Sequence, residues 1–431
     1  MSRAARTVAS LVGVAALCAT ASPAQTVQTL TLEQAETIAV ANHPAIRAAQ
    51  SYAGYAAAQA TATSAAYYPQ LSAAMTGVDA ATNSRITAGG LNNPIIYNRV
   101  AGGAALTQLV TDFGRTHGLV TSADLHARAA AEGVVASRAD IVLQVDEAYA
   151  GALKAQAVLS VAEETVKHRQ LIADQVTTMA QNQLKSGLDV SFANVDLAQA
   201  RLLLIQAQND VQASYATLSA ALGYVDQRTF VLADVSDSAA PPDSFTVYLQ
   251  EAMRDRPDLI SRRLDLTSAE SYATAQRDLW LPTISAAAAA GLTPYRQAEL
   301  GDRYATIGLN VSVPLYNGHL FGALRAEANH AAEVQGQTLR DLQDRVARDV
   351  RTAWLGATAG YERLSVTKDL LREATQAEDL AEERYRIGLS SIVELSQAQL
   401  ELTQAQLQAA SAKYDYQTAL STLAYQAGQA R

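Results

Sequence analysis

Residues 304–316 read YATIGLNVSVPLY. Ala305, Ile307, Leu309, Val311, Val313 and Leu315 fall on one face of an extended chain. Thr306, Gly308, Asn310, Ser312 and Pro314 fall on the other. Period-two alternation with one uniformly apolar face suits a strand with lipid on one side and water on the other. A strand of a soluble sandwich reads the same way, so the neighbouring stretches must discriminate. Residues 100–113 are a weaker, Ala- and Gly-rich version, and residues 69–82 and 282–294 form two small-residue strands in which Gly77 and Gly291 can ease a bend.

All four candidate strands are near the ~9–11 residues that a tilted membrane strand needs. Tyr67, Tyr68, Phe113, Trp280 and Tyr316 mark their inner ends, and Tyr97, Tyr295 and Tyr304 their outer ends. Two aromatic levels a strand length apart are the pattern of membrane-interface girdles. Four strands cannot close a barrel, because about eight is the practical minimum, and open edges are not tolerated in lipid. Several chains must then share one barrel, and three copies give about twelve strands. Strand count demands an oligomer without choosing trimer over dimer.

The chain is written twice. Asn42-His43-Pro44 is answered by Asp255-Arg256-Pro257, and Tyr68-Pro69-Gln70-Leu71-Ser72 by Leu281-Pro282-Thr283-Ile284-Ser285. Phe113-Gly114-Arg115 is answered by Asn317-Gly318-His319, Lys185-Ser186-Gly187-Leu188 by Arg386-Ile387-Gly388-Leu389, and Leu222-Gly223-Tyr224 by Leu423-Ala424-Tyr425. On this alignment the offset falls in small steps, as if the halves differed by a few loop deletions. The expected organisation is a leader over 1–24, a first repeat over 25–224, a linker over 225–246 containing Pro241-Pro242, a second repeat over 247–425 and a short tail over 426–431.

Each half orders its elements as helix, strand, strand, very long helix, turn, shorter helix. The long helices are expected over 115–184 and 321–386, neither with a proline. About 70 residues of helix extend ~105 Å, far beyond a globular helix. Val346, Val350, Ala353, Ala357, Gly360 and Leu364 open a three-four spacing along the second of them, a coiled-coil seam of small residues with Glu378 as its one charged member. The fold class is mostly α with membrane β. Helices alone fit a soluble periplasmic coiled-coil scaffold or adaptor equally well.

The chain's ends and charge set further bounds. Arg3 and Arg6 precede a short apolar run at 8–16, and Ser22-Pro23-Ala24 offers a cleavage site. That is a Sec-type secretory signal, too short to span a membrane. Leu17 before Cys18 does not suit lipidation, and cleavage after Ala24 leaves a mature chain without a thiol. A net charge of −9 without a basic run argues against nucleic acid as partner.

These landmarks together resemble the TolC-like outer-membrane efflux protein family. The resemblance rests on Leu32-Glu33-Gln34-Ala35 ahead of Asn42-His43-Pro44, on Arg256-Pro257-Asp258-Leu259, on Pro314-Leu315-Tyr316-Asn317-Gly318 and on Tyr385-Arg386-Ile387-Gly388-Leu389. It implies a homotrimer, with a twelve-stranded barrel in outer-membrane lipid above a periplasmic helical barrel whose closed tip opens when a periplasmic adaptor and an inner-membrane transporter dock. It implies adaptor docking at Lys185, Ser186, Gly187 and Leu188 and at Arg386, Ile387, Gly388 and Leu389, where Gly187 and Gly388 suit left-handed turns.

The resemblance also implies a tip latch. Tyr385 fits its tyrosine and Glu394 its first carboxylate. Gln397 stands where a second acid would be and Ser390 where a basic residue would be, with Arg386 or Arg384 as substitutes. In the first half Asp196 takes the corresponding acidic position and Asp189 lies nearer the turn. Threefold copies of Glu394 and Asp196 would form acidic rings that favour cations.

Enzymatic chemistry is absent from the motifs. There is no G-x-x-x-x-G-K-[ST], no H-E-x-x-H and no G-x-S-x-G, and His43, His117, His126, His168, His319 and His330 are scattered. No cofactor is expected. The sequence reads as a passive exit duct for an efflux pump or a type I secretion system.

Overall fold

A computed structural model of the chain describes residues 29–85, 95–236, 239–241 and 244–429. The leader, with Cys18, lies outside the described residues. A strand β1 (Thr29–Leu30) leads into helix α1 (Leu32–Asn42). Thr31 caps α1 in a reciprocal box with Gln34, satisfying two backbone donors that the helix start leaves free. His43 breaks the helical path, and Pro44 restarts it as the first residue of α2 (Pro44–Ser64). Strands β2 (Gln70–Val78) and β3 (Arg99–Thr111) follow, then α3 (Arg115–Gln181) and α4 (Gly187–Ala221).

The second half repeats this order. After β4 (Val231–Leu232) come α5 (Phe245–Asp255), α6 (Pro257–Arg277), β5 (Thr283–Arg296), β6 (Arg303–Ser312), α7 (Leu320–Arg386) and α8 (Ile392–Gln426). Arg256 takes the place of His43, and Pro257 that of Pro44. Both long helices have 67 residues, so each runs about 100 Å. Among the described residues no helix is long and apolar enough to cross a membrane.

The two hairpins α3–α4 and α7–α8 lie side by side, and α2 and α6 flank the long helices beyond the ends of α4 and α8. The stacking depends on two glycines. Gly223 closes α4 at φ +81° and Gly428 closes α8 at φ +77°. A Cβ on Gly223 would meet the Asn42–His43 backbone at 3.3 Å, and one on Gly428 would meet Arg256 at 3.1 Å. Each glycine thus lets a helix end butt against the break between two others. The alignment of Leu222-Gly223-Tyr224 with Leu423-Ala424-Tyr425 is therefore displaced, because the equivalent cap is Gly428.

From the start of α3 to the end of α8 the halves keep one constant offset. Phe113 and Gly114 are both left-handed, at φ +58° and +112°, and their counterparts are Gly318 and His319, at +62° and +69°. Two successive residues with positive φ turn each strand into its long helix. The length difference between halves lies in the strand region alone, contrary to the expected small steps.

The core is thin and Ala-rich, as close helix packing requires. Its largest cluster gathers Ala35, Ala39, Ile46, Val145, Tyr149 and Leu222 where α1, α3 and α4 meet. The Tyr149 hydroxyl lies 2.7 Å from the carbonyls of both Leu30 and Ala233, pinning the parallel β1–β4 pair to α3.

Candidate functional site: the sheet and the hairpin tips

The strands form one antiparallel sheet in the order β2-β3-β5-β6. Register sorts its side chains onto two faces. Ile307 pairs with Ala288, Ala288 with Leu106, and Leu106 with Leu71. This row and its neighbours Met75, Ala104, Ala290, Ala305 and Leu309 make one continuous apolar face. Thr306, Ala289, Ala105 and Ser72 form the matching row on the opposite face, which is small and polar. The apolar face is open in the single chain: Met75 is 79% exposed and Ile307 85%.

Gly291 makes room for a side chain. The Tyr304 side chain crosses the sheet over Gly103 and Gly291, and a Cβ on either would collide with it. Tyr304 thus belongs to the small polar face. At the helix end of the sheet Tyr67, Tyr68, Phe113, Trp280 and Tyr316 are all exposed, and Trp280 packs edge-on against Phe321 at 5.4 Å.

The opposite end carries the turns α3–α4 and α7–α8. Gly388 is left-handed at φ +80° and closes α7, with its N–H donating to Tyr385 and that of Leu389 to Arg384. In the first turn that conformation belongs to Gln183, at φ +60°, whereas Gly187 is the first residue of α4. The expected left-handed Gly187 is corrected accordingly. Ser186 caps α4 in a box with Asp189, and Ser391 caps α8 by accepting from the Glu394 N–H. Glu394 therefore answers Asp189, Ser390 answers Lys185, and Asp196 answers Glu401 rather than Gln397.

The Lys185 Nζ donates to the Tyr385 carbonyl at 3.0 Å and lies 3.7 Å above the Tyr385 ring. The basic residue in contact with Tyr385 thus comes from the other hairpin. Tyr385 is buried, 4% exposed, in a seam with Val176, Leu197, Ala381, Ile392 and Leu395. Burial and the charge of Asp189 push its phenol up to about 12. Burial alone would raise Asp189, but its Ser186 hydrogen bonds and the Lys185 charge outweigh that and lower it.

The other expected site residues divide. Glu394 lies 3.7 Å from Arg384. Arg386 turns away to Glu383. Asp196 accepts from Ser396 at 2.6 Å, joining α4 to α8. Leu188, Ile387 and Leu389 are exposed at the end of the hairpins. Lys185 is expected to take part in docking; its contact with Tyr385 has no local sequence signal, because the partner lies on the other repeat.

The pattern that defines outer membrane efflux proteins matches residues 37–224 and 248–429. The chain belongs to the outer membrane efflux protein family. Outer membrane protein TolC of Escherichia coli is 24% identical over 344 residues, covering 75% of this chain and 68% of TolC. Outer membrane efflux protein BepC of Brucella suis is 23% identical over 322 residues, covering 73% of this chain and 68% of BepC. The crystal structure of the Campylobacter jejuni CmeC outer membrane channel superposes with a TM-score of 0.81 at 16% identity, over 93% of this chain and 86% of CmeC.

As an efflux family member the chain is an outer-membrane exit duct. Its apolar sheet face is of the kind that a membrane β-barrel turns to lipid. The long hairpins carry its path away from the membrane.

Proposed function

We propose that three copies assemble into one closed duct, a twelve-stranded barrel continued by a helical barrel that crosses the periplasm. The observation that carries this reading is the sheet: one continuous apolar face, and two edge strands, β2 and β6, whose outer edges are unpaired among the described residues. An even number of strands lets β6 of one copy pair antiparallel with β2 of the next, so cyclic repetition removes every edge. A leader over 1–24 would deliver the chain across the inner membrane.

The hairpin tips form the gate in this reading. Lys185 on Tyr385 holds the two hairpins of a chain together, and Glu394 and Asp189 place carboxylates near the narrowest point. The exposed Leu188, Ile387 and Leu389 suit docking by an adaptor, which couples the duct to an inner-membrane transporter. The cargo is chosen by that transporter.

The test is single-channel recording from the purified protein in a planar bilayer, with the reversal potential read under a salt gradient. Small, discrete, cation-selective openings are expected, with selectivity reduced in the Asp189→Asn/Glu394→Gln double variant. A soluble oligomer that never inserts would overturn the barrel and leave a periplasmic scaffold.

A further inference from the structure

The two hairpins also meet through a polar cluster well above the tips. His168 stands on α3, the long helix of the first hairpin. Glu378 and Glu382 stand one turn apart on α7, the long helix of the second. His168 Nε2 lies 2.9 Å from Glu378 Oε1, and one ligand atom from each of the three residues lies within 4.8 Å of the others. The Glu378 side chain is only 4% exposed, in a seam whose next buried members are Ala374 and Ala381. Gln399 on α8 donates to it at 3.5 Å. A cavity of about 200 Å³ opens beside the cluster, with His168, Glu378, Gln399 and Thr403 on its wall.

We propose that His168, Glu378 and Glu382 form a transition-metal site that ties the first hairpin to the second. One imidazole nitrogen and two carboxylates with a position left for water are a ligand set for Zn²⁺ and its neighbours in the first row. The imidazole disfavours Mg²⁺ and Ca²⁺, which take oxygen ligands. Four-coordinate ligands at ~2.0–2.2 Å from zinc stand roughly 3.3–3.5 Å apart. His168 and Glu378 are already closer than that and need only part slightly, while Glu382, on a long half-buried side chain, swings inward. The adjoining cavity has room for the ion's water.

Charge sets the conditions. Glu378 and Glu382 face His168 from α7, Glu164 and Arg169 share its own helix, and α8 lines the site with the neutral Gln399, Leu402, Thr403 and Gln406. Arg169 hydrogen-bonds Thr403 through Nη2 at 3.3 Å, and its charge also acts on Glu378 and offsets one of the two carboxylates, leaving one net negative charge for the ion. The site is about 25 Å from the Lys185 turn along α3. An ion there resists separation of the hairpins. Coordination itself does not depend on the channel reading.

The test uses untagged full-length protein in detergent. Zn²⁺ is titrated in competition with a chromogenic chelator, and Co²⁺ is added as an absorption probe. One ion per chain and tetrahedral Co²⁺ bands are expected, with affinity weakened at least about tenfold in both His168→Ala and Glu382→Gln. Glu382→Gln alters a partly exposed carboxylate without changing its size, so it keeps the fold intact. Absence of tetrahedral Co²⁺ bands from the wild-type protein, or zinc affinity unchanged in both variants, would overturn the site.

Discussion

The Lys185 ammonium caps the ring of Tyr385 at 3.7 Å while donating to the same residue's carbonyl at 3.0 Å. One side chain thus joins the turn of the first hairpin to the last turn of α7. Lys185→Met keeps the stem and removes the charge. If the tip is the gate, the combined contact holds it closed by roughly 1–2 kcal/mol. The variant is expected to raise the ratio of open to closed channels about five- to thirtyfold per chain, read as open probability in planar bilayers. Lys185→Arg keeps the cation and is expected to stay near wild type.

The two tip glycines are expected to behave oppositely when replaced. Gly388 holds φ +80° with open space around it, so Gly388→Ala meets backbone strain and no clash. The cost is about 1 kcal/mol. Gly187 is the first residue of α4, also in open space, and Gly187→Ala is expected to be neutral or stabilising by up to about 1 kcal/mol. Hydrogen exchange of the tip amides reads both: faster than wild type in the first variant and no faster in the second.

The same pair shows what the sequence could carry. The duplication, the strand pattern of 304–312 (β6 ends at Ser312, short of the expected 316) and the long proline-free helices rest on periodicity that a chain shows without its partners. The turns do not. Gly187 and Gly388 look equivalent because both are glycines beside Leu, yet Gln183 takes the left-handed position in the first turn. Asp196 accepts a hydrogen bond from Ser396 that joins α4 to α8, a contact no spacing within one repeat announces. The partners of Lys185, Asp196 and Tyr304 are set by packing between repeats, which no local spacing encodes.

Stability is expected to fall as pH rises through the acid range at Glu36. Burial, then the charge of Asp146, raises its carboxyl from 4.5 to about 7. The folded chain therefore binds a proton that the unfolded chain has already released between those values. Unfolding free energy decreases across that window and stays lower above it. Glu36 is half-buried, so solvent screening limits the effect to on the order of 1–2 kcal/mol. Glu36→Gln is expected to raise the thermal midpoint at pH 8 and to leave it nearly unchanged at pH 4.

The face assignment of the sheet is open to a paired substitution on adjacent residues of β6. Ile307 lies on the apolar face, 85% exposed in the single chain, and Thr306 on the small polar face. If lipid covers the first face and water the second, an arginine is costly only on the first. Ile307→Arg is expected to destabilise the assembled barrel by about 2–4 kcal/mol per copy at mid-bilayer depth, and Thr306→Arg to leave assembly intact. Trimer recovered from outer membranes, separated by electrophoresis without boiling, distinguishes the two. Loss of trimer in Thr306→Arg with full recovery in Ile307→Arg would mean that the faces are reversed. Equal recovery of both would mean that neither face meets lipid, because a charge at depth in hydrocarbon cannot be silent.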